Sequence, residues 1–213
     1  MEFTIKLLDS DVVITKKINQ AFLQHIKSQL PKAYRKCASF MQKTVVEGIK
    51  AEGTYGALLS GDLRNQFGLT NADSKVDQIL KIVEDSIVIE YKAPRIVSSK
   101  IVGGFTISMV PADYSDILSS GAAVQSTGKN QKLDWLKWLL LYGDRTIISG
   151  YEFTIENDKK SRTGRGIMQG SVSGAWRVPS DYAGNVDNNW IIKGISSVAD
   201  DIENFFFRTL KNM

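Results

Sequence analysis

From residue 14 onward the apolar side chains fall at helical intervals. Ile18, Phe22 and Ile26 repeat every four residues, and Ala33, Cys37, Phe40, Met41, Thr44, Val45 and Gly48 continue one face beyond Pro31. A mid-helix proline removes a hydrogen bond and crowds the preceding turn. The pattern therefore predicts two helical pieces, 14–30 and 31–51, with Pro31 either kinking the join or opening the second piece. Ahead of them Phe3, Ile5 and Leu7 alternate with Thr4 and Lys6, as in a short strand over the first dozen residues.

Beyond residue 51 the periods shorten. Ser60 or Asp62 can cap a short helical turn that Gly68 stops, and 73–82 reads as another short helix. Strands at 86–91 and 104–110 are expected to pair antiparallel across a loop holding Pro94, Arg95 and the Ser98-Ser99-Lys100 turn. One helical turn is expected at 112–118, a small-residue loop at 121–130, and a compact helix carrying Trp135, Trp138, Leu139 and Tyr142 at 133–142. Strands 146–155 and 167–178 flank a polar, basic hairpin tip, and an amphipathic helix at 190–210 closes the chain.

Together these predict one α+β domain over 1–213, with long N-terminal helices, an antiparallel β-sheet with a hairpin, and a C-terminal helix. The sheet is expected to be covered on one face. Extended loops are expected at about 119–131 and 156–166, with an irregular segment at 179–189. No repeat of fixed period appears, and no low-complexity linker divides the chain.

Composition narrows the function classes. With 213 residues, 43% hydrophobic and 23% charged, the chain is long and apolar enough to bury a core, which excludes wholesale disorder. One Cys, at position 37, forms no internal disulfide, and one His, at position 25, supplies no zinc set. The start MEFTIKLLDS lacks the basic opening and long apolar run of a signal peptide, and no apolar cluster approaches a membrane span. The expectation is a soluble protein made inside the cell. Its formal charge of +4 is unevenly placed: residues 1–50 hold nine basic and four acidic side chains, the remainder eighteen and nineteen.

Candidate chemistry is thin. The segment Ala123-Val124-Gln125-Ser126-Thr127-Gly128-Lys129-Asn130 mimics a phosphate-cradling loop, but Ala123 replaces its first Gly and Asn130 its magnesium-binding hydroxyl. A polar surface loop is the stronger reading. Gly164 to Gly170 has the wrong spacing for a dinucleotide fingerprint, and Gly170-Ser171-Val172-Ser173-Gly174 places Val where a nucleophile elbow needs Ser. His25 lies beside Gln24 and Lys27 on an early helix, as a solvent-facing side chain would. Cys37 falls on the apolar face as a buried, inert thiol, and the acids form no recognisable metal motif. No catalytic residue, cofactor, metal or small-molecule substrate is expected, and the chain reads as a non-enzyme.

Two basic groups remain. Lys32, Lys36, Lys43 and Lys50 share one narrow helical stripe opposite Cys37, Met41 and Val45, and Lys159, Lys160, Arg162 and Arg165 crowd the hairpin tip. Each is either a solvated face or a contact for DNA or an acidic protein surface. Among Phe205, Phe206 and Phe207, successive residues stand ~100° apart, so one of the three is expected to face away from the core.

Several segments together resemble a family. A long N-terminal helix running into Ser60-Gly61-Asp62-Leu63-Arg64, followed by strands, resembles the tail-completion and neck proteins of tailed bacteriophages. The later stretch is similar to virion neck proteins of contractile-tailed phages: Ser161-Arg162-Thr163-Gly164-Arg165-Gly166-Ile167-Met168, then Trp176-Arg177-Val178-Pro179, Ala183-Gly184 and Asn188-Asn189-Trp190-Ile191. The resemblance implies a homo-oligomeric virion subunit that forms a ring, completes the tail or joins it to the head, and meets other neck, portal or tail proteins, with packaged DNA as a further contact. The candidate interaction surface comprises the two basic groups with Trp176, Trp190 and Phe207. The alternative is a nucleic-acid-binding accessory protein using the basic helix face.

Overall fold

The computed structural model describes residues 9–98, 100–108, 114–127, 131–155, 161 and 163–212, without the side chains of 105–107 and 210. It is an α+β chain with a long N-terminal helix, antiparallel strand pairs and C-terminal helices. The expected strand at the start falls largely outside the described residues, and residues 11 and 12 already belong to a helix.

Helix α1 runs unbroken from Asp11 to Ala51, with Pro31 inside it. This corrects the expectation of two pieces. The proline forfeits one hydrogen bond to Lys27, whose residue is exposed, so water can satisfy that carbonyl. The buried positions of α1 begin only at Leu30 and continue through Ala33, Cys37, Met41, Val45, Gly48 and Ile49. Half the helix thus anchors in the core while Val12, Ile18 and Phe22 stand exposed.

Three short helices fold back on that anchored half: α2 (Gly53–Leu59), α3 (Asp62–Phe67) and α4 (Ala72–Ser86). Gly68 ends α3 in the left-handed conformation at φ 60, as the sequence predicts. Their apolar faces meet in one cluster that includes Leu58, Leu63, Phe67, Val76, Ile79 and Val83.

Among the described residues the strands form three two-stranded antiparallel ladders rather than the expected single sheet covered on one face. A two-stranded ribbon needs packing from elsewhere. Strands β1 (Val88–Val97) and β2 (Lys100–Ser108) lie along α1, where the Tyr34 hydroxyl donates to the Ile89 carbonyl at 3.1 Å. Pro94 sits within β1, at a register shift between Lys92 and Arg95 that spares it a ladder bond. Opposite it Gly103, at φ +136, lies so close that an added Cβ would meet Pro94 Cα at 2.7 Å.

After the turn α5 (Ser115–Leu118), the expected surface loop is substantially buried. Ala122 and Ala123 join the core, and Gln125 is only 4% exposed, in β3 (Gln125–Ser126) paired with β4 (Lys132–Leu133). Helix α6 (Trp135–Lys137) continues into a π-helical turn, Trp138–Tyr142. Trp135 is wholly buried, and its indole N–H donates to the Ala122 carbonyl at 2.9 Å, which pins the loop to the core.

Strands β5 (Thr146–Thr154) and β6 (Ile167–Arg177) make the third ribbon. Four residues of β6, 171–174, oppose Gly150 alone, because Ser149 pairs with Ala175 while Tyr151 pairs with Gly170. An extra segment of that size bows out of the ladder. Val172 stands fully exposed on this bulge, and Gly174 lets its base pass against the Tyr151 backbone, where a Cβ would sit 2.7 Å from the carbonyl carbon.

The expected C-terminal helix is two helices, α7 (Trp190–Ser197) and α8 (Ala199–Lys211), broken at Val198 with φ −109 and ψ 5. Asn189, 1% exposed, caps α7 by accepting from the Ile191 and Ile192 amides. Its amide group donates to Tyr114 Oη at 2.7 Å and to the Asn185 carbonyl at 3.0 Å, which fixes the irregular 179–189 segment.

Candidate functional site

The four stripe lysines lie where the helical period puts them, opposite buried Cys37, Met41 and Val45. Lys32, Lys36 and Lys43 are exposed, and among the described residues none of the three is ion-paired. Lys50 is partly covered and contacts Glu47 at 3.4 Å. Lys159, Lys160 and Arg162 lie outside the described residues, while Arg165 is exposed two residues before β6, at the end where β5 and β6 are connected.

Two predicted surface residues are interior ones. Trp176 is 6% exposed and packs edge-on against Phe67 at 5.7 Å, and Trp190 is 2% exposed at the start of α7. Neither is available to a partner. Each heads a segment with a strong apolar neighbour, Val178 after one and Ile191 after the other, and both pairs go into the core. Phe207, by contrast, is 63% exposed, the one of the three phenylalanines that turns away. Phe205 instead stacks on Phe40 of α1, with centroids 3.8 Å apart and planes 9° from parallel.

The titratable groups give little sign of chemistry. Burial pushes the Cys37 thiol up, opposed in part by its hydrogen bond with Thr209, so it is a weak nucleophile tucked between α1 and α8. Burial also raises the Tyr114 hydroxyl, against the lowering pull of Asn189, and lowers Lys75, whose ammonium donates to the Val124 carbonyl. These groups hold loops in place. Among the described residues no cluster of three or more His, Cys, Asp or Glu is placed to hold a metal ion, and no helix is long and apolar enough to cross a membrane.

The described residues enclose an apolar groove of about 940 Å³. Phe22 and Ile26 of α1 form one wall, Ile101 and Gly103 of β2 the floor, and Phe206 and Phe207 of α8 the other wall. Its few polar lining groups, His25, Glu203 and Lys211, belong to those same surface helices. A small-molecule site of this size ordinarily has converging polar groups to orient its ligand. Here Gly104 adds only backbone to the floor, and nothing lies within 4 Å of where its Cβ would be. Sequence reasoning found Phe207 and missed the groove, because its walls come from segments nearly two hundred residues apart.

Among the described residues Val12, Ile18, Phe22, Ile155, Val172 and Phe207 are large apolar side chains exposed to solvent. In comparisons with protein-family models, with curated proteins and with solved structures, nothing matches this chain.

Proposed function

We propose that this chain is a bacteriophage virion structural protein of the neck or tail-completion type, which works by assembling with copies of itself into a ring that completes the tail or joins it to the head. The observation that carries this reading is the exposed apolar groove walled by Phe22, Ile26, Phe206 and Phe207, a contiguous patch of the kind that marks an interaction site. The motif resemblance adds support, with Leu63 of the Ser60 to Arg64 turn buried and the Arg64 guanidinium donating to the Leu59 carbonyl at 3.0 Å. Residues of that turn thus serve architecture, and function resides in the surfaces that the architecture presents.

Light scattering after size exclusion is expected to give a mass several times that of one chain, and negative-stain micrographs closed rings. A chain that stays monomeric up to about 100 μM, a concentration at which even weak contacts populate, would contradict the reading.

The exposed, unpaired Lys32, Lys36 and Lys43 favour one second reading, a nucleic-acid-binding accessory protein. It expects duplex DNA to be retained on filters with a log–log salt slope of about −2.7 if all three lysines meet phosphates. Changing all three to glutamine then removes retention. No retention at low salt eliminates this alternative.

A further inference from the structure

Helices α7 and α8 follow one another in the chain but are held to the body in different ways. In α7 Trp190, Ile191 and Gly194 are buried, and Gly194 lies against the backbone of Ile49. In α8 no described side chain is buried. Phe205 stacks on Phe40 of α1, Thr209 hydrogen-bonds the Cys37 thiol, and Ile202, half-buried, reaches the edge of the core. Val198 breaks the helix between the two. We propose that α8 is a hinged strap, which leaves α1 as a unit by turning about Val198 while α7 and the core stay folded. The strap concerns contacts within one chain and stands apart from the ring reading.

Segments that open locally are those with few enclosed apolar contacts, and α8 has no fully enclosed one among its described side chains. Its 13 residues are too few to hold a helix firmly in water alone, so its order depends on the face it lays on α1. The pivot is well placed. A Cβ on Gly48 would lie 2.7 Å from Val198 Cγ1, so the joint sits at the end of the tight α1–α7 crossing, and what lies before it is fixed. Opening has a defined consequence. At ~100° per residue Phe22, Ile26, Cys37 and Phe40 fall within about 60° of one another around α1. With α8 docked, Cys37 is buried and Phe40 lies under Phe205, so only Phe22 and Ile26 of this stripe reach the groove. With α8 released the four form one continuous apolar surface. The strap thus switches α1 between a closed and an open face.

Cys37 is the only cysteine, so the full-length protein contains its own reporter of opening. Its labelling by an aromatic disulfide, DTNB, is followed at urea concentrations below the unfolding transition. The rate is expected to be slower than that of a free thiol yet nearly independent of urea, because lifting α8 exposes little surface. Phe205→Ala, at a half-exposed position, is expected to speed labelling about tenfold or more through the lost ring pair and its apolar burial. Ile79→Val, at a wholly buried position of α4, lowers global stability and is expected to leave the rate unchanged. Amide hydrogen exchange gives a second measurement, in which α8 is expected to exchange about tenfold or more faster than α7. Labelling that rises steeply with urea, that follows the stability lost in Ile79→Val, or that ignores Phe205→Ala overturns the proposal. Exchange in which α7 and α8 open together overturns it too.

Discussion

Gly194→Ala is expected to lower the melting temperature by about 4–8 °C, although alanine is the better helix former. Helices α1 and α7 cross at two glycines. A Cβ on Gly194 would lie 2.5 Å from Ile49 Cα and 2.8 Å from its amide nitrogen, and one on Gly48 would lie 2.4 Å from the Gly194 carbonyl oxygen. These neighbours are backbone, so no side chain can rotate aside and the helices must separate. Overpacking of this kind costs about 3 kcal/mol, against about 1 kcal/mol gained in helix propensity, leaving a net loss near 2 kcal/mol. Gly56→Ala supplies the opposite sign. Its Cβ meets nothing within 4 Å on the exposed side of α2, so the same substitution is expected to raise stability by about 0.5–1 kcal/mol. Thermal melts of both variants decide the matter; equal shifts would show that the crossing is looser than its distances say. The crossing also bears on the groove, because α7 leads directly into α8, which forms one of its walls.

Trp135→Ala is expected to remove about 4–5 kcal/mol, a large part of the stability of a domain this size. The side chain is fully buried and lies 6.2 Å from the ring of Phe67, and its loss also strands the Ala122 carbonyl that its N–H satisfies. Trp135→Phe isolates the second effect. Trp190 is equally enclosed, yet its N–H has no hydrogen-bond partner among the described residues. Trp190→Phe therefore discards a donor that was contributing nothing, and Trp135→Phe should be worse by about 1 kcal/mol in urea denaturation. Matching losses at the two positions would refute the role assigned to the Trp135 hydrogen bond.

What the sequence made legible follows the range of the interactions involved. Helix α4, the Gly68 stop, the β5 and β6 strands and the outward turn of Phe207 are all set by periodicity or by one residue's backbone preference, and these appear where expected. The failures are tertiary. Residues 121–126 look like a polar loop until Trp135 and Gln125 tie them inward, the latter by accepting from the Thr70 amide 55 residues away at 3.2 Å. Pro31 looks like a boundary, yet a proline there forfeits one backbone hydrogen bond, to the exposed Lys27, and α1 runs on through it. Trp176 and Trp190 look like contact residues because aromatic side chains serve interfaces and cores alike. Whether a tryptophan meets its own chain or another is decided by elements far away in sequence. The separate ladders have the same origin, since among the described residues each strand pairs only with its neighbour in sequence.

Pro31 has a mechanical meaning as well. Its missing hydrogen bond falls at the position where the buried stripe of α1 begins, so the helix is least braced by its own backbone where the core ceases to hold it. The segment beyond, from Asp11 to Leu30, is about 30 Å long, and a bend of about 10° at its root would carry the far end through about 5 Å. Phe22 and Ile26 ride on that lever. One proline thus supplies a compliant joint by which the arm can change its reach while the core stays rigid.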